Sequence, residues 1–144
     1  MNEYKFSDLS VGHSEEFLFS LDEAKMEAFR AISGDRNPLH CDPDYACGAG
    51  FPEPVVYGQL TAAALSTLAG MYLPGKFCII HSVETDFLRP VFLSKCPLRV
   101  VGTVREMDER FQTMVLKFEI FNTDGQKVCK GKLRVGFLTK EAAE

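Results

Sequence analysis

The stretch Gln59-Leu60-Thr61-Ala62-Ala63-Ala64-Leu65-Ser66-Thr67-Leu68-Ala69-Gly70-Met71-Tyr72 carries no charged side chain. A helix on a protein surface sets charged residues against one apolar stripe, whereas a helix without a polar face is buried. The pattern predicts a helix that opens near Gly58, closes before Pro74-Gly75 and is buried nearly all round. Its Ala and Gly residues let other backbones come close. The apolar tract from Leu60 to Leu73 is too short to cross a bilayer and is interrupted by Ser66, Thr67 and Gly70.

Downstream, the periodicity changes to two. Strands are predicted near residues 78–88, 98–106, 113–122 and 127–138. Asn122-Thr123-Asp124-Gly125 joins the last two as a hairpin. Pro90 and Pro97 fall between strands, where a missing N–H costs no ladder bond. Upstream, a first strand is predicted over residues 15–20. Ser20-Leu21-Asp22-Glu23 reads as a capping box with Ser20 as the cap. The helix it opens runs to about Ser33, with Met26, Phe29 and Ile32 facing inward, and Gly34 closes it in a left-handed conformation. Residues 35–54 hold four prolines and read as an ordered loop with one helical turn near residues 44–47. Long connections inside compact domains are usually functional.

An uncharged helix followed by long antiparallel strands implies an α+β chain whose sheet wraps around that helix, the hot-dog arrangement. The 144 residues fit a single domain, 1–144, and 46% hydrophobic residues are enough for a buried core. The net charge of -4, from 16 basic and 20 acidic residues, argues against nucleic acid as a partner. Five irregularly spaced cysteines form no disulfide framework and point to a reducing compartment. The residues following Met1 lack the apolar run of a signal peptide. The expectation is a soluble cytoplasmic protein with no membrane contact.

The candidate chemistry lies in Gly34-Asp35-Arg36-Asn37-Pro38-Leu39-His40. Pro38 pushes Asn37 into extended geometry, so the preceding helix cannot continue and the loop can bend Asp35 and His40 toward one pocket. Histidine exchanges protons near neutral pH, and a carboxylate can polarise water or orient an imidazole. Spacing alone favours the plainer assignment, in which Asp35 caps a loop and His40 is an ordinary polar residue.

The longer run Phe29-Arg30-Ala31-Ile32-Ser33-Gly34-Asp35-Arg36-Asn37-Pro38-Leu39-His40, with Ala46 after it, resembles the signature of the MaoC-like dehydratases and R-specific enoyl-CoA hydratases. Pro54-Val55-Val56-Tyr57-Gly58 before an Ala/Leu-rich helix, then Leu73-Pro74-Gly75-Lys76, is similar to that family's central helix. Phe87-Leu88-Arg89-Pro90-Val91 resembles a later strand end. The likeness covers most of the chain and is strongest over residues 29–91.

The resemblance implies a hot-dog hydratase. Asp35 and His40 match the catalytic aspartate and histidine, which hold the reacting water between them. Asn37 matches the asparagine that supports the loop. Gly58 matches the glycine whose backbone N–H polarises the thioester carbonyl. Ser66 falls at a helix serine that supports the site; without the resemblance it would simply bond back to a carbonyl one turn earlier. Tyr57 stands where many members have histidine, which puts substrate choice in question while leaving a possible substrate-contacting hydrogen-bond donor. The implied substrate is an acyl-CoA or acyl carrier protein thioester, hydrated as a trans-2-enoyl thioester to the (3R)-3-hydroxyacyl product by a homodimer. No cofactor is expected, because the thioester supplies the electron sink.

Hydration beside a thioester builds negative charge on the carbonyl oxygen, and a helix N-terminus is a natural place to hold it. The helix after Gly58 provides such an end. Other signals are weaker. Cys41, Asp42 and Cys47 match no metal-binding spacing, so no metal is expected, and Cys41 as a nucleophile is disfavoured because sequence neighbours need not face each other. His13 and His81 read as structural or surface histidines. No nucleophile elbow and no phosphate-cradling glycine loop is present. One or two of Lys76, Arg89, Lys95, Arg99, Lys130 and Lys132 are candidates to meet the carrier's phosphates or acidic surface. Two rivals to hydration are a thioesterase of the same fold and a non-catalytic acyl-thioester-binding module.

Overall fold

A computed structural model of the chain describes residues 1–138. Five antiparallel strands, β1 (Ser14–Phe19), β2 (Cys78–Phe87), β3 (Leu98–Asp108), β4 (Thr113–Phe121) and β5 (Lys127–Phe137), form one sheet in the order β1-β3-β4-β5-β2. Strand ends differ from the expected ones by two residues at most. Alternation in β4 buries Met114, Leu116, Phe118 and Ile120 on the inner face and turns Lys117 and Glu119 outward. Phe118 lies opposite Gly102 of β3 and Gly131 of β5. A Cβ on Gly102 would meet the Leu68 side chain at 2.7 Å, so that glycine is the dent into which the helix presses. The Asn122–Gly125 turn closes as expected. Asn122 Oδ1 accepts from the N–H groups of Asp124 and Gln126, and Gly125 takes a φ of 74°.

The first helix, α1 (Glu23–Ser33), ends at Gly34 in the left-handed region, with φ 73°. Its cap is Asp22, not Ser20: Asp22 Oδ1 accepts from the Lys25 N–H at 2.9 Å. The cap must immediately precede the first helical residue, and Ser20 lies too far upstream. Met26 is buried and Phe29 packs on the core, but Ile32 is 83% exposed. Six residues after Met26, Ile32 has turned about 240° around the helix, whereas Arg30, four residues on, returns to the buried side. A short helix, α2 (Pro43–Gly48), lies in the proline-rich loop and is capped by Asp42.

The uncharged segment is helical from Gly58 to Tyr72, in consecutive pieces Gly58–Ala62, Ala64–Thr67 and a π-turn Leu68–Tyr72. Leu60, Ala64, Leu65, Leu68 and Ala69 bury against the inner face of the sheet. The opposite side is not buried: Gln59, Ala63, Ser66 and Met71 are exposed. The sheet covers one flank only, and the missing charge marks the other flank as apolar without covering it. Strand β2 shares this character. It ends the sheet, and Ile79, Ile80, Val83 and Phe87 are exposed along it. Among the described residues no helix is long and apolar enough to cross a membrane. All five cysteines are free.

Candidate active site

The loop after α1 is held by its own side chains. Asp35 Oδ1 accepts from the Asn37 N–H at 3.0 Å, and Asn37 Oδ1 accepts from the Leu39 N–H at 2.9 Å. Each is a short polar side chain bonding the backbone two residues on, the geometry that turns a chain sharply. Pro38–His40 then makes one 3₁₀ turn, with Asn37 as its cap. Asp35 and Asn37 therefore both build the loop. The Asp35 carboxylate spends one oxygen on this task, and its Oδ2 makes no hydrogen bond among the described residues.

His40 is fixed from two sides. Its Nδ1 lies 2.7 Å from the carbonyl oxygen of Val55. A carbonyl only accepts, so Nδ1 carries the proton and a neutral ring presents Nε2 as an acceptor. Its flat face stacks on Tyr57, with centroids 4.1 Å apart and an interplanar angle of 29°. Nε2 stands 4.0 Å from Asp35 Oδ2, too far for a direct hydrogen bond. The imidazole is largely buried and the carboxylate half-exposed.

Gly58 and His40 line one cavity of about 250 Å³, together with Val55, Thr61, Phe87 and Val91. Asp35 stands beside it through His40 rather than in its wall. Tyr57 precedes the central helix without capping it by a side-chain bond. The Leu60 and Thr61 N–H groups both bond the Tyr57 carbonyl, and Gly58, the first residue of the helix, stands in the cavity wall, where the helix start contributes a partial positive charge. A Cβ on Gly58 would lie 3.2 Å from the Phe87 ring, a tight contact that a small shift of this half-exposed ring would relieve. Larger grooves of about 790 and 470 Å³ lie on the outer face of the sheet among charged side chains and do not include His40.

Sequence and structure part company at two residues expected in the site. Tyr57 is 2% exposed, and its hydroxyl donates to the Asp35 carbonyl at 2.7 Å instead of facing the cavity. Ser66 lies on the exposed flank of the helix, outside the cavity wall. Arg30 was not expected in the site. Its Nε donates to the Tyr57 hydroxyl at 3.3 Å, and this bond holds the guanidinium pKa above its ordinary value. Its position four residues after Met26 was the available signal. The Val55 carbonyl, which fixes the His40 tautomer, has no sequence signal, because every residue carries one. Cys41, Asp42 and Cys47 do not gather. Among the described residues no group of three or more His, Cys, Asp or Glu side chains is arranged to hold a metal.

An antiparallel sheet packed against one apolar helix defines the architecture as that of the hot-dog proteins. The family model for the MaoC like domain matches residues 11–123, and the chain belongs to that family. It is 34% identical over 125 residues to the (R)-specific enoyl-CoA hydratase of Aeromonas caviae, covering 86% of this chain and 92% of the relative. The solved structure of the (R)-hydratase from A. caviae involved in PHA biosynthesis superposes with a TM-score of 0.83 at 32% identity, covering 90% of this chain and 97% of that one. R-hydratase PhaJ1 from Pseudomonas aeruginosa gives 0.85 at 30% identity, over 94% and 86%. The hot-dog fold expected from the sequence is the fold of these neighbours, and the chain is an enzyme of the hydro-lyase class.

Proposed function

We propose that the chain reversibly hydrates a trans-2-enoyl thioester to the (3R)-3-hydroxyacyl thioester, with Asp35 and His40 acting on one water molecule. The 4.0 Å gap between His40 Nε2 and Asp35 Oδ2, beside the open start of the central helix, carries this reading. Two hydrogen bonds of about 2.8 Å from one water to these acceptors subtend about 90°, near the angle between the hydrogens of water. Both hydrogens are then engaged, and an oxygen lone pair is free to attack C3.

As the O–C3 bond forms, the C2=C3 electrons move onto the thioester oxygen. The Gly58 N–H stabilises that charge; one such donor is worth roughly 2.7–4 kcal/mol. The proton that the water gives to the Asp35–His40 pair is the one the pair returns to C2, so the inventory closes without a cofactor. Dehydration runs the same steps backward. Asn37 keeps the loop in shape, and Tyr57 acts beneath the pair. Ser66 is proposed to support the site from the exposed flank of the helix.

The name of the A. caviae relative supports R stereochemistry and a CoA thioester; an acyl carrier protein thioester presents the same reacting group. We read residues 1–144 as one domain working in the cytoplasm, a setting that suits five free cysteines. The proposed assembly is a homodimer. The uncharged flank of the central helix and the free edge of β2 form an apolar surface that a second copy would cover.

The test is steady-state hydration of crotonyl-CoA and longer CoA and carrier-protein enoyl thioesters, with chiral analysis of the product. Loss of enone absorbance with an R product is expected. Release of free thiol with the enone intact would replace hydration by thioester hydrolysis.

A further inference from the structure

We propose that Arg30 and Tyr57 are a positioning pair: Arg30 governs turnover through the Tyr57 hydroxyl, which sets the Asp35 backbone and the His40 ring in one geometry. The proposal rests on the hydration reading above. Tyr57 touches both of the residues proposed to react. Its ring stacks on His40, and its hydroxyl donates to the carbonyl of Asp35 at 2.7 Å. The same hydroxyl accepts from Arg30 Nε, and the Phe29 ring packs on Tyr57 with centroids 4.9 Å apart and a tilt of 47°. The order guanidinium to hydroxyl to carbonyl is a directed chain. A cation donating to the phenol oxygen polarises its O–H and strengthens the next bond. It also fixes which way the hydroxyl points, since the acceptor side is occupied.

Stability alone does not account for Arg30. Its Nη2 is buried with no protein partner among the described residues, and an unpaired buried donor is costly. An apolar side chain on the same stripe as Met26 and Phe29 would bury as well without that cost. Breaches of the local rules of folding concentrate where function requires them. Here the residue that breaks the rule is joined by one hydroxyl to the backbone of Asp35.

The experiment compares Tyr57→Phe, Arg30→Met, Arg30→Lys and the Tyr57→Phe/Arg30→Met double variant. Enoyl-CoA hydration kinetics and thermal melts are measured for each. Losing one hydrogen bond of the chain lowers kcat about tenfold in Tyr57→Phe and in Arg30→Met, with KM within about twofold. The double variant falls no further than Tyr57→Phe, because Arg30 acts only through that hydroxyl. Arg30→Lys recovers part of the loss, and Arg30→Met melts no lower than the parent.

Wild-type kcat in Arg30→Met, or a double variant whose loss is the product of the two single losses, would overturn the pair. Side-chain NMR of His40 in the free protein tests the same geometry without turnover. Its ring signals should move alike in Arg30→Met, Tyr57→Phe and the double variant, and unmoved signals would also overturn the pair. A parent enzyme inactive on every enoyl thioester would instead remove the hydration reading, and the NMR comparison would still decide the pair.

Discussion

Replacing Asp35 by asparagine is the sharpest test of the proposed chemistry, because the loop dictates how the new side chain sits. Asp35 Oδ1 accepts the Asn37 N–H at 3.0 Å, and only an oxygen can take that bond. In Asp35→Asn the amide oxygen therefore occupies the Oδ1 place and the NH₂ group falls where Oδ2 stood, 4.0 Å from His40 Nε2. The flipped amide would lose the loop bond, at about 1 kcal/mol, so the loop itself selects this orientation. An NH₂ group cannot accept a hydrogen from the attacking water. The water loses one of its two anchors and the pair loses its base. General acid–base catalysis contributes about 10²–10⁴ in rate, or roughly 2.7–5.4 kcal/mol of barrier. We expect kcat on crotonyl-CoA to fall within that range while KM changes little. The side chain is half-exposed and the turn is kept, so stability should change by less than about 1 kcal/mol. Spectrophotometric hydration assays with a parallel thermal melt settle the matter. A folded Asp35→Asn enzyme within about threefold of the parent rate would refute the assigned role.

Three further outcomes follow from the geometry. Gly58→Ala puts a methyl 3.2–3.4 Å from the Phe87 ring, which is half-exposed and can yield, so the protein folds; the methyl crowds the proposed oxyanion donor, and kcat should drop about 10²-fold, an idea that an unchanged kcat would defeat. Val83→Lys places a charge on the exposed apolar face of edge strand β2 and should turn a dimer into monomers in sedimentation; a parent protein that sediments as a monomer removes the homodimer. Burial pushes the thiols of Cys78 and Cys129 up to about 11. The unfolded chain ionises these thiols near 8.5, so their contribution to stability is complete below that pH and is lost as pH rises toward about 11. Peptide mapping after mild alkylation should find the exposed Cys41 and Cys47 labelled first and Cys129 only on unfolding.

Legibility followed the range of the interaction. Gly34, the Asp35 and Asn37 turns and the hairpin at Asn122–Gly125 are bonds between residues at most four apart; the helix stop and the hairpin were readable from the residues, whereas the loop role of Asn37 came from the resemblance and that of Asp35 stood as the plainer alternative to catalysis. The cap of α1 was misplaced by two residues, because Ser20 and Asp22 are both good caps and lie two residues apart. Ile32 was read inward on a spacing of three, which drifts off a helix face when repeated, and the same drift concealed Arg30. Asp35 and His40 were identified by resemblance. Their approach to 4.0 Å depends on the Val55 carbonyl and the Tyr57 ring, which belong to a segment 15 or more residues further along the chain.

By itself, the sequence determined the strand periodicity, the charge-free helix and the sharp turn bearing the aspartate and histidine, because these follow from side-chain spacing and local hydrogen bonds. Only the tertiary structure decided that the helix is covered on one flank, that Tyr57 spends its hydroxyl on the loop, and that His40 presents Nε2 to Asp35. Those outcomes depend on which distant groups are brought within hydrogen-bond reach, and packing, not composition, sets that distance.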